Sequence, residues 1–182
     1  AVLHDSEFMA SLTIEFFSRN LYERANDCRW WALNGTLIGA LSARDGQDAA
    51  AASEVLAHIN SLYTVYQSIV LFDAEKRVVA VSRADQAHLV GTRIEEAWVD
   101  ETLGLVDSQS YSVSSFQPSL FSAEQPTLIY AAAVRSAERR VVGGVAVVFD
   151  TRPQLSAMLH DVLPRDEHGQ PLAGCVAMLL DR

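Results

Sequence analysis

The stretch SIVLFDAEKRVVAVS, residues 68–82, contains two short apolar runs separated by a charged break. The first run, Ile69–Asp73, ends in an aspartate, and the break has residues 75–77 at its tip. Apolar runs on either side of a polar break are typical of two antiparallel strands joined by a tight turn. The sequence therefore predicts a β-hairpin of Ile69–Asp73 and Val78–Ser82 that begins a sheet.

Three further strands are predicted after the hairpin, at residues 111–117, 127–135 and 141–150. The last two flank the polar stretch SAERR, a second hairpin tip, so we expect an antiparallel sheet of five strands. We also expect the strands of the first hairpin to lie beside strand 141–150. Residues 83–107 mix polar and apolar positions and predict a loop with a short helix that begins near Thr92, with Glu95 as its capping partner.

The first third of the chain has a helical pattern. Apolar residues recur three and four positions apart from Glu7 to about Ala43, which predicts a spine helix about 50 Å long. After a break, residues 48–66 predict a second helix that begins at Asp48 or Ser53. A further helix is expected to open at Pro153 and to close before Pro164.

The net charge of −9, from 14 basic and 23 acidic residues, argues against binding to a nucleic-acid backbone. With one lysine in the chain, no polybasic membrane patch is expected. No apolar run is long enough to cross a bilayer. The sequence begins without methionine, and we expect it to be a piece of a longer protein.

The residue types that carry catalysis or bind metals do not form recognisable motifs. Cys28 and Cys175 make no CxxC pair, and they are interpreted as two small buried residues, with a long-range disulfide as the alternative. The five histidines are scattered, and no zinc-protease, serine-hydrolase or phosphate-loop motif occurs. We expect no enzyme activity and no cofactor.

The stretch SIVLFDAEKRVVAVS, followed later by GGVAVVFDTRPQLSAML, resembles a bacterial double Cache sensor domain. Such domains are extracytoplasmic, PAS-like units of chemoreceptors, sensor kinases and related signalling proteins. The resemblance implies an α+β fold in which a long N-terminal helix packs on one face of a five-stranded antiparallel sheet. It divides the chain into a membrane-distal unit, residues 1–163, and residues 164–182, a linker with the first strand of a membrane-proximal unit.

The resemblance also implies a small-molecule site on the sheet face opposite the spine, beneath residues 83–117, with Asp150 and Tyr130 on its floor and Trp98 or Arg93 in its cover. The alternative for Trp98 is that it belongs to the core. In amino-acid-binding members an aspartate at the end of the last strand receives the ligand's ammonium group, and Asp150 has that position. The alternative is that Asp150 only caps the following helix. Arg93 and Trp98 are the counterparts of an arginine and aromatic pair, but their spacing departs from the family pattern, which puts amino-acid specificity in doubt.

Four more residues are candidates for the site. Tyr130 lies in a strand rich in alanine, which leaves room for a ligand or for close helix packing. Tyr111 and Gln117 share one face of the third predicted strand and carry polar groups. Arg83 is a candidate partner for an anionic ligand, with simple solvation as the alternative.

The sequence therefore predicts a periplasmic sensing module of an inner-membrane receptor. Its expected ligand is an amino acid, an amine or an organic acid, and its expected partner is a second copy bound through the spine helix. Two alternatives stay open: a dimerisation or spacer module without a ligand, and a cytoplasmic PAS or GAF domain.

Overall fold

The computed structural model describes residues 2–43, 48–123 and 125–178. The chain divides into two compact units. One consists of Glu23–Asp150 and contains the whole sheet. The other consists of Ala1–Tyr22 and Thr151–Arg182, so that the first helix passes from one unit into the other.

The helices and strands follow the predicted order. The helices are α1 (Val2–Trp31), α2 (Gly35–Ser42), α3 (Ala49–Leu62), a 3-10 helix (Ala84–Leu89), α4 (Ala97–Leu103) and α5 (Thr151–Asp161). The strands are β1 (Tyr66–Asp73), β2 (Val78–Val81), β3 (Ser112–Val113), β4 (Gln117–Pro118), β5 (Pro126–Thr127), β6 (Ile129–Arg135) and β7 (Val141–Phe149).

Five strands form one antiparallel sheet in the order β2-β1-β7-β6-β3. The predicted α+β class, the five strands and the place of the hairpin beside strand 141–150 are confirmed. The third strand is much shorter than the predicted 111–117. Gln117 and Pro118 leave the sheet and pair with residues 126 and 127 in a separate two-stranded ribbon.

The spine is not continuous to Ala43, as predicted. It ends at Trp31, and α2 begins anew at Gly35. Asn34 causes the break, because its backbone is extended and its side chain accepts hydrogen bonds from the N–H groups of Thr36 and Leu37. The second helix then packs against β1, β6 and β7.

The predicted helix start at Thr92 is also wrong. Thr92 lies in a turn, and α4 begins at Ala97 after Glu96. The expected capping residue Glu95 is exposed and forms an ion pair with Arg93 at 2.9 Å.

Strand alternation gives the sheet two distinct faces. The helix face carries the residues Ile69, Leu71, Val145, Val147 and Tyr130, and α2 packs there, since a Cβ on the neighbouring Gly143 would meet Leu41. The cover face carries the residues Val70, Phe72, Ala146, Val148, Ile129 and Ala131, which form one buried cluster with Trp98, Val99 and Phe121. Both faces of the central strands are therefore buried.

The residues after the sheet follow the prediction in part. The fifth helix begins at Thr151, two positions before Pro153, and residues 165 and 171 form an isolated antiparallel bridge. Residues 175–178 are not in a strand, and residues 179–182 lie outside the described residues. The second unit that was expected from residue 164 onward stays a prediction.

Candidate ligand-binding site

The centre of the cover face is filled by large apolar side chains. Trp98 is 2% exposed and its ring meets that of Phe72 edge-on, with 5.5 Å between the ring centroids. The indole Nε1 donates to Glu96 Oε2 at 2.8 Å. Trp98 is thus part of the core, and the expectation that it covers a cavity is wrong.

A group of polar side chains lies at the edge of this core, where β7 ends and β1 begins. We call it the polar corner, and it consists of Ser68, Arg83, Gln86 and Asp150. Ser68 pairs with Val148 and so faces the cover side. Asp150 is the first residue after β7, and its N–H donates to Val65 O at 2.9 Å.

Two buried atoms of the polar corner make no hydrogen bond among the described residues. They are Ser68 Oγ and Gln86 Oε1. The amide Nε2 of Gln86 donates to the backbone oxygen of Phe121 at 2.9 Å, which fixes the side chain next to the core. Buried polar groups are nearly always paired in folded proteins, and each of these two atoms has the capacity for one more hydrogen bond.

The charges of the polar corner have opposite signs. Arg83 forms a bidentate ion pair with Asp85, with N–O distances of 2.9 and 2.6 Å. That hydrogen bond raises the pKa of Arg83, and the negative charges of Asp85 and Asp150 add to the effect. Asp150 therefore lies within electrostatic range of the guanidinium while itself half-buried.

Tyr130 lies on the other side of the sheet. It pairs with Val147 on the helix face, and its ring lies 6.3 Å from that of Tyr111. Burial raises its pKa to about 12. The prediction that Tyr130 and Asp150 form the floor of one pocket is therefore wrong, because the sheet separates them.

The remaining predicted residues also lie away from the polar corner. Tyr111 precedes β3 and contacts Arg29, whose guanidinium carbon lies 5.9 Å from the ring centroid. Gln117 is exposed in the small ribbon, so the two do not share a strand face as expected. Arg93 is exposed and paired with Glu95. Of the seven predicted residues, Arg83 and Asp150 come together at the polar corner, and Tyr111 and Tyr130 come together on the other side of the sheet.

Ser68 and Gln86 were not among the predicted site residues. The signal for Ser68 is faint, since it is a single polar residue at the start of an apolar run. It faces the cover side with Val70 and Phe72, and a register shift in the pairing with β7 places the preceding Tyr66 on the opposite face. Gln86 lies in a segment interpreted as a polar connection, and nothing in its neighbours shows that it is half-buried against Phe121.

A depression of about 510 Å³ lies on unit Glu23–Asp150 near the two hairpin tips, and no residue of the polar corner lines it. Its walls include Leu41, Val79 and Val141, and the charged residues Glu75 and Arg140 at its border are exposed. No buried unpaired polar side chain among the described residues lines it. The depression therefore has fewer buried hydrogen-bonding groups that could orient a ligand than the polar corner has.

The described residues contain no group of three or more His, Cys, Asp or Glu side chains arranged to hold a metal ion. Both cysteines are free thiols, with Cys28 buried as expected and Cys175 exposed, contrary to the expectation. Among the helices of the described ranges, none is both apolar enough and long enough to cross a bilayer.

No protein-family model matches the sequence, and no curated protein matches it. Solved structures do match. The sensor domain of the Vibrio cholerae histidine kinase DctB has a TM-score of 0.72 and 18% identity, and the match covers 92% of this chain and 64% of that one. For the Escherichia coli DcuS sensor domain the TM-score is 0.62 at 11% identity, over 77% of this chain and 94% of that one.

The ligand-binding domain of the Campylobacter jejuni chemoreceptor Tlp3 in complex with L-valine also matches. Its TM-score is 0.61 at 13% identity, and the match covers 86% of this chain and 61% of that one. This chain thus spans less than two thirds of the length of the DctB and Tlp3 domains. At these identities the likeness is one of fold, and the PAS-like fold of Cache-type sensor domains, which the sequence predicted, is confirmed.

Proposed function

We propose that this chain is the extracytoplasmic small-molecule sensing module of a bacterial transmembrane signalling receptor, of the chemoreceptor or sensor-kinase type. The observation that carries the proposal is the pair of buried, unpaired polar atoms, Ser68 Oγ and Gln86 Oε1, beside the charges of Arg83 and Asp150. The fold shared with sensor domains supports it. The module binds its ligand without changing it chemically.

The charges of the polar corner favour a zwitterion, and we propose an α-amino acid as the ligand. Its ammonium group binds Asp150 and its carboxylate binds Arg83, which exchanges its contact with Asp85 for the ligand. Charge-assisted hydrogen bonds of this kind contribute about 1.5–3 kcal/mol each. The L-valine bound to the Tlp3 domain supports this class of ligand, with amines and organic acids as the other candidates.

The parent protein is proposed to be anchored in the membrane and to form a homodimer through the spine. Exposed apolar side chains on α1, at Tyr22 and Trp30, favour a helix contact of this kind. Analytical ultracentrifugation of the chain with and without Trp30→Ala measures the contribution of that face, and a sedimentation coefficient unaffected by the change would contradict the contact.

The ligand is found by a thermal-shift screen of amino acids, amines and organic acids. A ligand at a hundredfold excess over its Kd stabilises the fold by about 2.7 kcal/mol. Titration calorimetry then follows two variants. For an amino acid, Asp150→Asn and Arg83→Ala each weaken binding roughly 10- to 100-fold.

A matched control is Arg93→Ala, since Arg93 also pairs with a nearby carboxylate but lies outside the polar corner. Binding to this variant stays unchanged. If the ligand is an anion, Arg83→Ala weakens binding while Asp150→Asn leaves it unchanged or tightens it. Affinities unchanged from that of the native chain in both variants would show that the site is elsewhere, and a screen without any stabilising compound would argue against sensing altogether.

One observation favours the second candidate, a dimerisation or spacer module without a ligand. That function requires a filled sheet face, and the centre of the cover face is filled by Trp98 and Phe121. The two functions differ in the screen, because a spacer module has no ligand that raises its melting temperature.

A further inference from the structure

We propose that the side chain of Phe121 is an internal plug for the apolar part of the ligand-binding site, and that residues 117–123 form a strap that removes it. The strap is held closed by Glu96, and a ligand with an apolar side chain takes the place of Phe121. This inference rests on the proposed function for the identity of the ligand, whereas the movement of the strap is tested without a ligand.

Phe121 differs from the residues around it. It is fully buried in the cover-face cluster, together with Val70, Ile129 and Val148. Between residues 115 and 123 it is the one large apolar side chain that is buried, since Phe116 and Leu120 are 48% and 42% exposed. The small side chains of Ser119 and Ser122 are buried as well, but Phe121 is the one large ring by which the strap is anchored in the core cluster.

The strap is held by few contacts. Oε1 of Glu96 accepts hydrogen bonds from Ser119 Oγ at 2.9 Å and from the Leu120 N–H at 3.0 Å. Gln86 donates to the Phe121 backbone oxygen at 2.9 Å. Residues 117 and 118 pair with β5 alone, outside the five-stranded sheet. Segments with few contacts to the remainder of a protein open locally at lower free energy than the whole fold unfolds.

The backbone of the strap is also strained. Ala123 has a φ of +48°, in the left-handed region, which costs a residue with a Cβ roughly 1–2 kcal/mol. An open strap relieves this strain. The closed conformation therefore depends on the latch at Glu96 and on the burial of the ring.

Opening of the strap exposes part of the polar corner to solvent. Gln86, which holds the Phe121 backbone, belongs to the corner, and its Oε1 has no solvent contact while the strap is closed. At the other end of the connection, Thr127 Oγ1 donates to Phe149 O at 2.6 Å, next to Asp150. When the ring leaves, an apolar space of phenyl size adjoins the charged groups. The ligand class is therefore an α-amino acid with a branched aliphatic or aromatic side chain.

Thiol labelling tests the strap without a ligand. In a Cys175→Ser background, Ser68→Cys places a thiol on the cover face, where Phe121 also lies, and the native Cys28, which is buried, reports global unfolding. We expect the introduced thiol to react with a disulfide reagent faster than Cys28. Glu96→Gln, which removes the charge from the latch, raises the labelling rate of the introduced thiol by about tenfold relative to the rate of Cys28.

The matched control is Glu95→Gln, since Glu95 is the exposed neighbour that does not touch the strap; it leaves the rate ratio unchanged. If the rates of the introduced thiol and of Cys28 rise together in Glu96→Gln, the site opens only by global unfolding and the strap is refuted. Should Ser68→Cys fail to fold, hydrogen exchange in the native sequence gives the same test, because the Leu120 amide must exchange much faster than that of Val147. Equal protection refutes the strap.

The plug is tested with an apolar amino acid found in the screen. Phe121→Ala removes the competing ring, so it binds that amino acid more tightly than the native chain, whereas binding that weakens refutes the plug. If the strap opens in the labelling experiment but no amino acid binds, the proposed function fails and the strap stands.

Discussion

Gly144 lies directly beneath the ring of Phe72, its partner across β1 and β7. A Cβ at this position would lie 2.3 Å from the Phe72 Cζ atom, closer than any packing allows. Because Phe72 is fully buried next to Trp98, it has no room to yield. Gly144→Ala is therefore expected to lower the free energy of unfolding by about 1–3 kcal/mol, measured by urea denaturation.

The control for this change is Gly35→Ala. No atom lies within 4 Å of a Cβ built on Gly35, which is the first residue of α2. Alanine is favoured over glycine in a helix by up to about 1 kcal/mol, so this variant is at least as stable as the native chain. Equal stabilities for the two variants would contradict the packing described for Phe72.

Ser68 and Ser82 are neighbouring buried serines. Replacing each with alanine is expected to change the stability of the fold in opposite directions. Ser68 Oγ has no partner among the described residues, while Ser82 Oγ accepts a hydrogen bond from the Ile69 N–H at 2.8 Å. Ser68→Ala removes an unsatisfied group and is expected to stabilise the fold by roughly 1 kcal/mol while it weakens ligand binding.

The matched variant Ser82→Ala leaves the Ile69 N–H unpaired and costs about 1–3 kcal/mol. Thermal unfolding of both variants measures the difference. A loss of stability in Ser68→Ala similar to that in Ser82→Ala would mean that the Ser68 hydroxyl is structural and has no role at a site.

At the scale of the element, the break between α1 and α2 depends on one side chain. Asn34 accepts hydrogen bonds from Thr36 N at 2.9 Å and from Leu37 N at 3.3 Å. Asn34→Ala is expected to destabilise the fold by about 1 kcal/mol, since it removes a helix cap. Asp48→Ala serves as the control, because Asp48 precedes α3 but its side chain makes no capping hydrogen bond. Equal midpoints of urea unfolding in the two variants would contradict the capping role.

The first residues of β1 carry side chains on both faces of the sheet. Tyr66 pairs with Phe149 on the helix face, and its hydroxyl donates to Asp27 of α1 while Arg24 lies over its ring. Ser68, two residues later, faces the cover side because the register shifts between them. Because of this irregular pairing, Tyr66 contacts the spine helix while Ser68, two residues later, belongs to the polar corner.

At the scale of the whole molecule, one buried thiol and two buried tyrosine hydroxyls affect how the free energy of unfolding changes in alkaline solution. Burial raises the pKa of the Cys28 thiol and of the Tyr130 hydroxyl to about 12 each. Burial, followed by the hydrogen bond to Asp27, raises the pKa of Tyr66. All three groups stay protonated in the folded chain at pH values where the unfolded chain ionises, which is above about 9 to 10.

Stability is therefore expected to be unaffected by these groups below about pH 9 and to fall as the pH rises from there toward 12. The folded chain holds protons that the unfolded chain has lost, so each group lowers the free energy of unfolding by at most about 1.4 kcal/mol per pH unit. Urea unfolding at several pH values between about 8 and 11 measures the slope. Tyr66→Phe reduces it, and a slope unchanged by this variant would contradict the assignment.

Local patterns were enough to predict much of the fold. The apolar run at residues 69–73, the charged tip after it and the polar hairpin at 136–140 are short-range signals, and the structure has hairpins at both places. The predicted helix boundaries were less accurate, because the helical spacing of apolar residues continues across Asn34. That spacing does not reveal that the Asn34 side chain caps a new helix. The third strand was too long because its residues pair with two different partners.

The sequence by itself determined the class of the fold and the order of its elements, and it placed Arg83 and Asp150, which lie near strand ends, among the candidate site residues. The tertiary structure alone placed Tyr130 on the opposite face, brought Ser68 and Gln86 to the corner and filled its apolar side with Phe121. The physical reason is that strand and helix patterns are set by neighbours in the chain. The side to which a residue points depends on the register between strands, and what covers it depends on segments that are 35 or more residues away.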